Sequence, residues 1–275
     1  MPHRKIPASR GLYWCVEAWR NFKASPQPVL SMAMWLSLGI FLPVLNFFMV
    51  ILITVFYGGV ISTLHKKTLG EKVSVGDFFN GFKTLPRFLG LFMVGFPTVL
   101  FAFFSSTVLF NALGPEAAKA LTETAGQPPS KELINAIAPV LLDVMIKLLP
   151  IGVVIGWIIF LAVPRVMLDK RLGLLALWDA ARAIFSNLGA MLLFTAGIML
   201  AAFLASFLLA IPLAFIAGAG AFAGMLQTFA IVFICTLGWA LYLNAMYIAW
   251  RDIFMSDATA PPTETPPPPE AQIEV

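Results

Sequence analysis

Charged residues are scarce in this sequence. Only 12% of its 275 residues are Asp, Glu, Lys or Arg, whereas 60% are hydrophobic and the mean hydropathy is +0.89. A soluble domain carries about 25% charged residues and cannot bury this much apolar surface in its own core. The scarcity of charge therefore excludes an ordinary soluble domain and indicates that lipid surrounds most of the chain.

Residues that usually carry chemistry are also rare. The chain has two cysteines and two histidines, too few for a disulfide framework or a metal site. It contains no phosphate-binding loop, no Gly-x-Ser-x-Gly motif, no His-Glu-x-x-His motif and no Cys-x-x-Cys pair. We therefore predict no catalytic residue, no metal site and no cofactor, and we expect that the protein is not an enzyme.

Long uncharged runs dominate what is present. A helix needs about 20 apolar residues to cross about 30 Å of hydrocarbon. The four uncharged runs of the chain therefore have room for two, one, one and two crossings. They predict six transmembrane helices, at residues 27–44, 46–64, 88–110, 150–167, 188–211 and 226–250.

Two of these runs have alternative interpretations. Residues 24–64 could form one long span with a surface segment, and the 64 uncharged residues 187–250 could form three crossings. The first alternative would place the basic residues 65–67 on the wrong side of the charge pattern. The second would leave Arg251 and the C-terminal tail outside. The basic residues therefore favour two crossings in each run.

Lys and Arg are distributed unevenly between the two sides of the predicted membrane. Six crossings place 15 of the 18 basic residues on the side of the N-terminus, and the other three are Lys119, Lys131 and Lys147. Because basic residues accumulate in cytoplasmic loops, both termini are predicted to be cytoplasmic. The same bias explains the net charge of +4 without a nucleic-acid partner. No signal peptide is expected, so the first span would direct insertion.

Three short stretches share a pattern, and each precedes an apolar span. In each, an acidic residue (Glu17, Asp77 or Asp179) is followed five or six positions later by phenylalanine. Helices with one apolar face and nearby Trp, Lys and Arg are typical of the headgroup region, where they lie on the membrane. The sequence therefore predicts an all-α membrane protein with six transmembrane helices and three cytoplasmic amphipathic helices. Its order is surface helix, span, span, three times.

Local signals predict the limits of these surface helices. Residues 1–8 are expected to form a loose basic arm, after which Ser9 can cap a helix that runs to about residue 23. Ser74 and Asp77 have the spacing of a capping box, which opens the second helix. The third helix is expected at about residues 174–186.

The chain is predicted to form a single integral membrane domain over residues 1–255. Residues 256–275 contain six prolines and three glutamates, a composition typical of disorder. Anionic lipid headgroups are the expected partners of the basic surface helices. The sequence leaves open a protein partner or a homo-oligomer.

Five polar residues are candidates for a role at membrane depth: Arg165, Asp169, Gln227, Asn244 and Arg251. An ionisable residue within a span is a functional candidate by default. Arg165 and Asp169 lie one helical turn apart, but at the end of a span, where Arg can snorkel to the headgroups. Arg251 is interpreted in the same way. Gln227 and Asn244 are explained by hydrogen bonds between helices, with the lining of a pathway as the alternative.

Two short motifs stand near the ends of the chain. Residues 6–11 are Ile-Pro-Ala-Ser-Arg-Gly and residues 250–254 are Trp-Arg-Asp-Ile-Phe. With the aromatic and charged residues that follow the first motif, they resemble a family of uncharacterised proteobacterial membrane proteins, in which the motifs usually begin with Val and Tyr. The chain departs from that family at Trp250 and at residues 163–165, where relatives have Ala-Pro-Ala. The architecture is also similar to that of YciC-type inner-membrane proteins.

This resemblance implies a multi-pass topology in a Gram-negative inner membrane, and it implies no reaction. The leading hypothesis is a non-enzymatic interaction or envelope-organising membrane factor. The alternative is a small transporter or lipid-handling protein with a pathway between the helix-pair repeats. Convergence of Arg165, Gln227 and Asn244 on a cavity at membrane depth would favour the transporter, whereas their pairing with neighbouring helices would favour the interaction protein.

Overall fold

The regular structure of the chain is helical throughout the described residues. A computed structural model describes residues 3–24, 26–41, 43–123, 131–216 and 221–255. The predicted disordered tail lies outside these residues. The elements in chain order are α1 (Arg10–Ala24), α2 (Gln27–Phe41), α3 (Pro43–Thr68), a 3₁₀ helix (Val75–Phe82), α4 (Leu85–Glu123), α5 (Lys131–Met167), α6 (Gly173–Ser186), α7 (Leu188–Ile216) and α8 (Ala221–Phe254).

Four of the described helices are long and apolar enough to cross a membrane. These segments are Leu85–Pro115, Leu133–Met167, Leu188–Leu209 and Gly224–Phe254. The predicted spans 88–110, 150–167 and 226–250 lie within these segments, and the span 188–211 extends two residues past Leu209. The all-α class and the apolar character of these helices are therefore confirmed. The first two predicted spans correspond to α2 and α3. With 15 residues, α2 is about 22 Å long, shorter than the hydrocarbon layer of about 30 Å.

Proline and glycine have different effects in the two longest helices. α5 continues through Pro139, Pro150 and Pro164, although each lacks the amide proton of a normal helix residue. The segment before Pro150 therefore extends the helix of the fourth predicted span. In α4, Gly114 has φ 74° and ψ 167° and separates two helical pieces. Glycine adopts this left-handed backbone at little cost.

Three helices, α3, α5 and α8, contact one another at the centre, and we call them the central helices. The outer helix α2 packs against α3 and α8, and α4 packs against α5 and α3. The third outer helix, α7, contacts α8 and reaches α5 through a hydrogen bond from Trp157 Nε1 to Thr195 Oγ1 (2.8 Å). Each outer helix therefore lies beside two central helices, around buried side chains such as Leu161 and Leu243.

The remaining elements, which we call the short helices, cover one end of this bundle. The 3₁₀ helix packs on α3, α6 packs on α5 and α4, and α1 packs on α8 and α7. The 3₁₀ helix and α6 therefore each contact the helix pair that precedes them in the chain, whereas α1 closes the ring on the last pair. Close approach requires glycine, because a Cβ atom at Gly11 would lie 2.0 Å from the Ala190 carbonyl oxygen.

The predicted loose arm at residues 1–8 is wrong for its described part. The Arg4 N–H donates a hydrogen bond to the Ile253 carbonyl (2.9 Å), and the Ile6 N–H donates to Asn187 Oδ1 (2.7 Å). His3 Nε2 lies 2.8 Å from Ser186 Oγ. No local pattern signals this docking, because the partners lie more than 180 residues away.

Candidate functional site: the charged junction at one end of the bundle

Each central helix carries a basic residue near the end that the short helices cover, and each short helix carries an acidic one. These residues form three ion pairs, which we call the end ion pairs. Their nitrogen and oxygen atoms lie 2.7 Å apart in Lys66–Asp77, 2.8 Å in Arg165–Asp179 and 2.5 Å in Arg251–Glu17. The three acids are those whose spacing before phenylalanine predicted the surface helices. Lys66–Asp77 and Arg165–Asp179 each join a short helix to the central helix that precedes it, whereas Arg251–Glu17 joins α1 to α8, the last helix.

Arg165 is the most deeply buried of these cations, with a side chain only 2% exposed. Its Nη1 donates to Asp169 Oδ2 at 2.6 Å and its Nη2 donates to Asp179 Oδ2. The guanidinium also lies 4.5 Å from the centre of the Phe254 ring. A buried charge is tolerated when it is paired and hydrogen-bonded. The prediction that Arg165 snorkels to headgroups is therefore wrong, because the side chain turns inward to its acidic partners.

Asp169 extends this cluster to the other two central helices. Its Oδ2 accepts a hydrogen bond from Trp250 Nε1 (2.9 Å), and the Trp250 ring meets the His65 ring edge-on. His65 Nδ1 lies 3.2 Å from the Tyr247 hydroxyl, which also contacts Thr68 Oγ1 at 2.9 Å. Burial lowers the pKa of His65 below its ordinary value, against the opposing effect of nearby carboxylates. A neutral imidazole can both donate and accept hydrogen bonds here.

The two terminal motifs lie side by side at the same junction. Asp252 Oδ2 accepts hydrogen bonds from Arg10 Nε (2.9 Å) and from Trp14 Nε1 (3.0 Å). Trp14 is fully buried and its ring contacts Phe194 of α7. Residues 6–11 and 250–254, which are far apart in the sequence, are therefore parts of one contact.

Two of the acids on the short helices, Asp77 and Asp179, are held in their charged form. Burial by itself would raise the pKa of Asp77, but hydrogen bonds from Lys66, from the Ser74 N–H and from Asn80 lower that pKa to about 2. The bond from the Ser74 N–H measures 3.0 Å and belongs to the capping box that the sequence predicted. Burial likewise opposes ionisation of Asp179, yet hydrogen bonds from Arg165 and then Arg171 give a net lowering of its pKa.

The two uncharged candidate residues have no described hydrogen bond to the charged groups of this junction. Asn244 is 1% exposed and its Nδ2 donates to the Ala240 carbonyl of its own helix (2.8 Å). Gln227 is exposed on the same helix. Their separation of 17 residues corresponds to about 25 Å along α8. The structure therefore does not bring Arg165, Gln227 and Asn244 together.

Two cavities in the described part of the chain have mostly apolar linings. One, of about 520 Å³, lies between α4 and α5 and is lined by residues such as Phe101 and Met145. The other, of about 390 Å³, lies between α1, α7 and α8. Neither lining includes Arg165, Gln227 or Asn244. Among the described residues, no group of three or more His, Cys, Asp or Glu side chains could hold a metal ion.

The sequence identified Arg165, Asp169 and Arg251 at the junction, but it missed Trp250 and His65, whose contacts with Asp169 and with each other join the three central helices. Comparison with protein-family models, with curated proteins and with solved structures finds no match to this chain. The function is therefore inferred from the geometry of the junction and from the surfaces of the helices around it.

Proposed function

We propose that this chain is a six-span inner-membrane protein with three interfacial helices, and that it acts as a non-enzymatic interaction or envelope-organising factor. The observation that carries the proposal is the use of the junction charges. All three end ion pairs join one helix to another, and Asp169 and Asp252 are also bonded to tryptophans of neighbouring helices. Charges used in this way stabilise a scaffold.

The surfaces of the short helices support an interfacial position. Large apolar side chains are exposed on all three: Leu12, Val16 and Trp19 on α1, Val75 and Phe79 on the 3₁₀ helix, and Leu174, Trp178 and Phe185 on α6. On α1 and α6 a cation lies over an exposed tryptophan ring one turn away, with Lys23 over Trp19 and Arg182 over Trp178. Tryptophan next to a basic residue is typical of the headgroup region.

The packing of α2 and α3 supports counting them as spans. They contact each other and the other central helices as α4 and α5 do. α3 has 26 residues, enough for about 39 Å. On this arrangement the short helices lie on the cytoplasmic face with both termini.

Topology is tested by single cysteines at positions 2 and 270 in a chain whose two native cysteines are replaced by serine. Intact cells should protect both positions from an impermeant maleimide, and opened cells should expose both. Labelling of either position from outside would reject the six-span arrangement.

The interaction role is tested separately from topology. Purification of the tagged full chain in mild detergent should recover a stoichiometric protein partner or a second copy. A chain recovered alone that supports solute flux in proteoliposomes would instead favour the transporter.

A further inference from the structure

An apolar groove lies beneath α1, between α7 and α8, and we call it the α1 groove. Its volume is about 390 Å³, which falls in the range of small-molecule sites, about 300–1,000 Å³. Trp19 and Cys15 line the end next to α1, which we call the upper end. Ala205 and Ile234 lie at the opposite, lower end. The groove therefore begins at a short helix and runs down between two candidate membrane spans.

Small residues keep the groove open. The α7 wall contains Gly197, Ala201 and Ala205, and Gly238 faces them from α8. A Cβ atom at Gly238 would meet nothing within 4 Å. The candidate span in α7 is also the least covered of the four, since only 6% of an 18-residue apolar stretch within it is buried.

The length of the groove matches one leaflet of a bilayer. Its α7 wall extends from Phe194 to Ala205, and 11 helical steps correspond to about 16 Å. The hydrocarbon core is about 30 Å thick, so one leaflet contributes about half of that. An acyl chain that enters beneath α1 would therefore reach the bilayer centre within the groove.

The upper end of the groove carries positive charge. Lys23 Nζ lies 5.6 Å from the centre of the Trp19 ring, and Arg20 is exposed next to Trp19. Within the described part of the chain, neither cation is in an ion pair, whereas the other cation on α1, Arg10, is paired with Asp252. The excess charge at this end therefore suits a phosphate group.

We propose that the α1 groove binds one acyl chain of an anionic phospholipid, whose headgroup phosphate lies beside Lys23 and Arg20. This inference rests on the membrane location proposed above. The apolar walls of the groove suit the acyl chain, and the length of the groove matches the depth of one leaflet. The cations at its end suit the phosphate of the headgroup. Each basic residue near a membrane surface favours anionic over neutral lipid.

The proposal is tested on the full chain in detergent by native mass spectrometry, with added phosphatidylglycerol or phosphatidylcholine. The unsubstituted chain should retain one phosphatidylglycerol per copy. Gly238→Leu adds a side chain to the groove wall at a position where a Cβ atom meets nothing within 4 Å, and it should reduce retention at least tenfold. Gly156→Leu is the matched control, because a Cβ atom at Gly156 also meets nothing within 4 Å but lies outside the groove. It should retain the lipid as the unsubstituted chain does.

The headgroup is tested by Lys23→Gln, with the exposed Lys72→Gln as its control. Lys23→Gln should remove most of the preference for phosphatidylglycerol over phosphatidylcholine, and Lys72→Gln should keep it. A second measurement uses the thiol of Cys15, which lines the groove, in a Cys235→Ser chain. Phosphatidylglycerol should slow its alkylation by an apolar maleimide at least threefold.

Equal retention by Gly238→Leu and Gly156→Leu would overturn the proposal, as would a Cys15 alkylation rate that the lipid does not change. So would loss of a second copy or of a protein partner in Gly238→Leu, because a helix would then be the occupant. If the chain needs detergent but retains no lipid, the proposed lipid site is wrong and the proposed membrane location still stands. A chain that is monodisperse without detergent refutes the proposed membrane function itself.

Discussion

Removal of the Asp179 carboxylate tests whether the end ion pairs stabilise the fold. Asp179→Ala leaves the buried Arg165 with Asp169 as its remaining acidic partner, since both acids bind the same guanidinium. Breaking a buried ion pair by removing one partner costs about 3–5 kcal/mol. The Asp179 side chain is 20% exposed and Arg165 keeps one carboxylate. We therefore expect a loss near the lower end, about 3 kcal/mol.

The chain provides a matched control for this substitution. Asp143 and Lys147 form an ion pair of similar length, 2.6 Å, but their side chains are 59% and 69% exposed. Exposed pairs of this kind contribute about 0.3–0.5 kcal/mol because water and salt screen them. Asp143→Ala should therefore change the free energy of unfolding by less than about 0.5 kcal/mol.

The free energy of unfolding is measured by titration of detergent-solubilised protein with sodium dodecyl sulfate, with tryptophan fluorescence as the signal. A double-mutant cycle with Arg165→Ala isolates the pairwise interaction, which should be about 1–3 kcal/mol. If Asp179→Ala and Asp143→Ala were equally stable, burial would not strengthen the Arg165–Asp179 pair relative to the exposed pair. The view of the junction as a scaffold would then be refuted.

Two further predictions concern stability. Asp77 has a pKa of about 2 against an ordinary 3.8, so its ionised form should contribute about 2.5 kcal/mol above about pH 5. This contribution should disappear as the pH falls towards 2, and Asp77→Asn should remove that part of the pH dependence of unfolding. Gly11→Ala should cost more than about 2 kcal/mol, because its Cβ atom would meet the Ala190 carbonyl. Gly156→Ala should be neutral or stabilising, because a Cβ atom at Gly156 would meet nothing within 4 Å.

The parts of the fold that follow from local sequence could be predicted. Uncharged runs locate α4, α5, α7 and α8 because a membrane helix is defined by its own composition. The pairs Asp143–Lys147 and Arg165–Asp169 follow from their spacing of four residues, which places both side chains on one helix face.

Contacts between elements could not be predicted in the same way. The sequence singles out Glu17, but its partner Arg251 lies 234 positions away. Nothing in the composition of α1 indicates that it packs on the last helix pair instead of the first. The gap between α7 and α8 is equally hidden, because a row of alanines and glycines is compatible with tight packing or with a groove.

The short helices and the helix pairs on which they pack form a closed ring around the junction. The 3₁₀ helix and α6 pack on the helix pairs that precede them, whereas α1 packs on the last pair, α7 and α8. The contacts of Trp14 and Arg10 with Asp252 join the beginning of the ring to its end. A pathway for a polar solute would need polar groups that remain available along the central helices. Arg165 and Asp169 are instead bonded at the end of the bundle, where they stabilise the closed ring. The α1 groove, with apolar walls and cations at one end, is therefore the described feature best suited to a ligand.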